Sequence, residues 1–175
     1  MRKVLFLLIG LAIVLIPALL LGTEKDVRFT DVQPDLETAI ARLSRHINIF
    51  EGVLNKMDAS ARANQNYNEQ KNIFLSSQLA ITTITAILEY NRDLLVLFGD
   101  LRAKNRKKFY EVRIESIETS IKQINNMHKQ IQINYTILPP DFFEPTLVNT
   151  ERETILSSIA SLETCIDLLK SVNSK

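Results

Sequence analysis

No tryptophan, one cysteine, four glycines and five prolines in 175 residues leave this chain short of material for several fold classes. So few Gly and Pro cannot supply the turns that an all-β fold needs. The lone cysteine, Cys165, has no internal disulfide partner. Among the Ile and Leu that surround it, it reads as a small buried apolar residue, the alternative being a cross-link between two chains. An excess of charge of one sign is also missing. The formal net charge is +1, and without Arg2 and Lys3 the remainder carries 19 basic and 20 acidic residues. Nucleic-acid binding, which requires a strong basic footprint, is therefore disfavoured.

Catalytic signatures are scarce as well. The chain has no Gly-x-Ser-x-Gly elbow and no phosphate-cradling glycine loop. Neither His46 nor His128 has a Glu three residues before it, as a di-iron bundle would require, and His46 reads as flanking its helix seam. Neither an enzyme, a metal site nor a cofactor is expected.

What the chain does have is one long apolar run followed by helical periodicity. Val4 to Leu21 spans eighteen uncharged residues, interrupted by Gly10 and Pro17. As a helix it would reach roughly 27 Å, close to the hydrocarbon thickness of a bilayer. It reads as an uncleaved signal anchor over residues 1–22, with Arg2 and Lys3 on the cytoplasmic side and the rest exported. A cleaved signal peptide is the alternative, giving a secreted or periplasmic protein, although Leu20 occupies a place where a small residue is wanted.

Residues 23–33 read as a polar linker, and residues 34–175 as an extracytoplasmic helical domain. Pro34 suits a first helical turn, and Leu36, Ile40, Leu43, Ile47, Phe50, Leu54, Met57 and Ala61 then step by four and three. Ile73, Phe74, Ile81, Ile84, Ile87, Leu88, Leu94, Leu95 and Phe98 form a broader stripe, with Ser77 and Asn91 inside it. Tyr110, Ile114, Ile117, Ile121, Ile124, Ile131, Tyr135 and Leu138 form a narrow seam in which His128 fills the one polar slot. Pro139 and Pro140 stop that helix. Thr150 to Glu153 resembles a capping box and opens the seam of Ile155, Ile159, Leu162, Ile166 and Leu169. The apolar phase breaks between Leu101 and Tyr110, which predicts a turn near 99–106. The spacing predicts an all-α fold: an antiparallel up-down-up-down four-helix bundle with coiled-coil-like seams, behind the amino-terminal membrane segment.

Three groups of residues depart from that pattern. In an antiparallel bundle His128 falls level with Ser77, Asn55 and Ser158. This layer is either a ligand-binding or sensing site or a hydrogen-bonded layer that fixes register. Arg102, Lys104, Arg106, Lys107 and Lys108 would lie at the membrane-proximal end, where they can meet anionic headgroups or remain solvated. Phe142 and Phe143, in a proline-bounded loop, either plug the distal end or form a partner patch. Asn134-Tyr135-Thr136 matches a glycosylation sequon but lies within a seam. The sequence thus points to a membrane-tethered bundle acting through protein-protein or membrane-surface contacts, with self-association or another protein as partner. The alternative is a ligand-binding or sensing bundle around His128.

Overall fold

The computed structural model describes residues 29–60, 66–98, 106–139 and 142–173. Among these the chain forms α1 (Phe29–Ser60), α2 (Tyr67–Phe98), α3 (Arg106–Ile137) and α4 (Pro145–Asn173), and no strand. Both α1 and α3 pack against α2 and α4, so the helices close a ring around one core and form a bundle. Residues 1–28, the turn expected near 99–106 up to Asn105, and Arg102 and Lys104 of the basic cluster lie outside the described residues. So do the side chains of Arg106, Lys107 and Lys108.

The helix starts differ from the expectation at two places. The polar stretch read as linker up to residue 33 is already helical from Phe29, with Pro34 inside α1. A proline there forfeits the bond its amide would send to the carbonyl of Thr30. That loss falls beside a helix end whose first amides lack intrahelical partners anyway, and the added turn buries Val32. Likewise α4 opens at Pro145, five residues before the expected cap. Proline is preorganised for a first helical position. The Thr150 hydroxyl, well inside the helix, donates to the carbonyl of Thr146 and caps nothing.

The core follows the seams. Leu36, Leu43 and Phe50 of α1, Ile81, Ile84 and Leu88 of α2, and Ile155 and Leu162 of α4 are fully buried. α3 is rotated relative to its apolar pattern. Ile117, Ile124, His128, Ile131 and Leu138 are buried as the seam requires, while Tyr110, Ile114, Ile121 and Tyr135 are half-buried and polar Arg113, Ser120 and Asn134 go inside in their place. Over Tyr67–Leu95, α2 is long and apolar enough by length and composition to cross a bilayer. A core helix meets the same criteria, and α2 buries Phe74, Ile81, Ile84 and Leu88 inside the bundle.

One end of the bundle is filled by aromatic rings. Phe143 packs on Phe50, Phe74 and Tyr135 with ring centroids 5.2, 5.5 and 4.9 Å apart, and Phe50 lies 4.6 Å from Phe74. Phe142 is half-buried against the hydrophobic core. These two phenylalanines therefore plug the bundle and do not offer an exposed patch. Beside them Tyr67 and Lys71 of α2 both bond the Asp58 carboxylate of α1. Cys165 is fully buried, and desolvation pushes its thiol up to about 11.

Two outcomes follow. Phe143→Ala should cost about 3–5 kcal/mol in urea unfolding, because it empties a ring-sized volume in the core, while Phe142→Ala should cost clearly less. Cys165 should resist a thiol reagent at neutral pH in the folded protein and react fully once the protein is denatured.

Candidate functional site

Polar side chains on the buried faces of α2 and α3 meet in two places. Near one end, Asn134 Nδ2 donates to Ser77 Oγ at 2.9 Å, and Ser77 Oγ donates to the carbonyl of Ile73 at 3.1 Å. The Gln130 amide completes this group by donating to Asn134 Oδ1. Towards the other end, Asn91 Nδ2 donates to Ser120 Oγ at 3.2 Å, and Arg113 Nη2 donates to Asn91 Oδ1 at 2.8 Å. Arg113 Nη1 reaches Ser116 Oγ, and its guanidinium lies 5.5 Å from the Tyr90 ring centroid. Burial pulls that guanidinium below its ordinary value, an effect opposed by Tyr90. Buried Asn91, Asn134 and the Nη2 end of Arg113 are tolerated here because each meets a partner on the facing helix.

The third polar group carries the most chemistry. Glu151, 2% exposed, stands one helical turn before Ile155 on the buried face of α4. Tyr135 of α3 donates its hydroxyl to Glu151 Oε2 at 2.6 Å, and the buried His46 of α1 places Nδ1 3.6 Å from the same oxygen. His46 Nδ1 is buried and makes no hydrogen bond. Burial first, and the Glu151 charge and bond second, hold the Tyr135 phenol protonated far above its ordinary range.

His128 lies two turns before Tyr135 on α3 and borders the same region. The Gln132 side-chain amide lies 3.0 Å from its Nε2. An amide N–H donating to that nitrogen requires Nε2 to be unprotonated, with the ring hydrogen on Nδ1. Burial lowers the His128 pKa, partly offset by the charge of Glu151. Between α3 and α4 a cleft of about 300 Å³ opens here, lined by His128, Gln132, Tyr135, Thr136, Asn149, Glu151 and Arg152 among others.

The expected polar layer is therefore redistributed. Ser77 and His128 are both buried, but Ser77 pairs with Asn134 and His128 faces the α3–α4 cleft. Ser158 is buried and donates to the carbonyl of Ile155. Asn55 faces solvent and belongs to no layer. His46, expected on a flank, is inside. Asn134 of the sequon is 4% exposed and bonded to Ser77, which keeps it from a glycosyl donor in the folded chain. Glu151 was masked by the capping-box pattern. Stepping back four residues from Ile155 would have placed it on the seam. Among the described residues no group of three or more His, Cys, Asp or Glu side chains is arranged to hold a metal ion.

His128 gives the site a pH signature. Its folded pKa lies below the unfolded value near 6.5, so at acid pH the unfolded chain binds the extra proton. Its contribution is fully present at neutral pH and is lost as the pH falls below about 6.5. The urea midpoint should drop from about pH 7.5 to about pH 5, and His128→Gln should make that drop shallower.

Comparison of the chain with protein-family models, with curated proteins and with solved structures gave no match to any of the three.

Proposed function

We propose that this protein is an exported helical bundle, held at a membrane by residues 4–21, that works through contact with another protein surface and not by catalysis. Its helices run up-down-up-down in antiparallel order. That order is supported by Asn134, late in α3, holding Ser77 early in α2, while Arg113, early in α3, holds Asn91 late in α2. Tyr135 with Glu151 and Glu118 with Lys170 give the same sense for α3 and α4. In this order the end of α2 and the start of α3 share one end of the bundle with the start of α1, and the basic sequence 102–108 that joins them is proposed to meet anionic headgroups there.

A single observation carries the contact reading. The outer faces of α2 and α3 expose Leu79 (67%), Val112 (59%), Ile137 (56%), Tyr90 (55%) and Ile133 (53%). Val112 and Ile133 are three heptads apart, so both lie on one stripe of α3. Between the two helices runs a shallow groove of about 570 Å³ that includes Thr83, Ala86, Tyr90, Val112 and Thr119. Large apolar side chains lining a groove parallel to two helices suit a covering helix. The occupant that needs no further gene product is a second copy of this chain.

A ligand-binding bundle is the second reading, favoured by the cleft beside His128 with its buried carboxylate.

Full-length chain in mild detergent should scatter light as a dimer, and Leu79→Glu with Val112→Glu should make it monomeric without loss of helicity. A monomeric wild type would remove self-association. In intact cells Lys129→Cys, at an exposed position of α3, should be labelled by a membrane-impermeant maleimide, with the intact mass retaining residues 1–22. Labelling after lysis alone would reverse the orientation.

A further inference from the structure

We infer that the cleft between α3 and α4 binds a small zwitterion of the α-amino-acid type, its ammonium on Glu151 and its carboxylate on Arg152. This rests on the ligand-binding reading and is independent of what covers the α2–α3 groove. The two side chains carry opposite charges and line the same cleft of about 300 Å³, a volume at the small end for ligand sites. Glu151 is built into the core, with 2% exposure. Both of its contacts, from the Tyr135 hydroxyl and towards His46 Nδ1, fall on Oε2. Oε1 is therefore the oxygen left to an incoming N–H donor. Oε1 is not among the buried atoms that lack a partner, so it is open to solvent, and an ammonium there would add a charge-assisted hydrogen bond to the one Tyr135 already gives this largely buried carboxylate.

Behind it, His46 Nδ1 is a buried ring nitrogen with no hydrogen bond, 3.6 Å from the same carboxylate. Arg152 is exposed at the cleft wall, next to Asn149, and a guanidinium in that place matches a carboxylate in two-pronged geometry. Gln132 and Thr136 add groups that donate and accept, and Ile131 and Val148 add apolar wall for the rest of such a ligand. The one carboxylate and the one guanidinium in this lining select a ligand that carries both charges, since a lone cation or a lone anion leaves one wall charge unmatched.

The test is thermal unfolding and calorimetry of the full-length chain in detergent with the proteinogenic L-amino acids, taurine and γ-aminobutyrate at millimolar concentration. At least one should raise the melting temperature in a concentration-dependent manner. The N-acetyl and methyl-ester derivatives of that probe, each missing one charge, should bind about tenfold or more weakly. Arg152→Gln, at an exposed position, should keep the unliganded melting temperature and weaken binding by a similar factor. Glu151→Gln should abolish binding, and its circular dichroism distinguishes loss of the site from loss of the fold. Absence of any shift across the panel overturns the inference. So does equal binding of the derivatives, or unchanged binding by Arg152→Gln. The dimer of the preceding reading is scored by light scattering alone, so the two can fail separately.

Discussion

The register of α3 against α2 rests on two buried polar groups of equal spacing. Ser77 and Asn91 stand fourteen residues apart on α2, and their partners Asn134 and Ser120 stand fourteen apart on α3. Two heptads on each helix bring both groups into contact at once. A slip of one heptad would part Ser77 from Asn134 and Asn91 from Ser120 inside the core, where a stranded polar group costs about 1–3 kcal/mol. Apolar seams alone do not discriminate so well, because Ile over Ile and Ile over Leu pack with similar energies. The hydrophobic effect supplies the drive to associate, and these polar contacts select one alignment.

That selection has consequences for α4 and the rest of the ring. With α3 turned so that Arg113, Ser120 and Asn134 look towards α2, its half-buried side, including Tyr135, is presented to α4. Tyr135 then reaches Glu151, and the acid can remain inside because a phenol donates to it and an imidazole lies near. The same rotation leaves Val112 and Ile133 exposed, with Val112 lining the α2–α3 groove together with Tyr90. Polar pairs inside and apolar side chains outside are thus two results of one helix rotation.

The aromatic plug closes the end at which this acid sits. Phe143 joins Phe50 and Phe74 to Tyr135, the residue that holds Glu151. Packing of the loop between α3 and α4 and positioning of the carboxylate are therefore linked through one phenol. Tertiary neighbours rather than adjacent residues define the environment of Glu151.

The sequence by itself determined the helices, their approximate lengths, the α4 seam, much of the α1 and α2 seams and the burial of Cys165, because a period of 3.6 residues is a local property of the chain. It determined also that Ser77, Asn91 and His128 lie on buried faces, since they fall within otherwise apolar stripes. The tertiary structure decided what each of them meets. His128 and Ser77 share a level by counting but face different neighbours, and Asn55 on the same level faces water. His46, Asn134 and Glu151 were read as flank, sequon and cap, and Arg113 was not singled out, because a polar residue is assigned outward until a partner is known. Those partners lie on other helices, at separations from 16 residues for Tyr135 and Glu151 to 105 for His46 and Glu151. No local pattern encodes such a pairing; it exists once the bundle has closed.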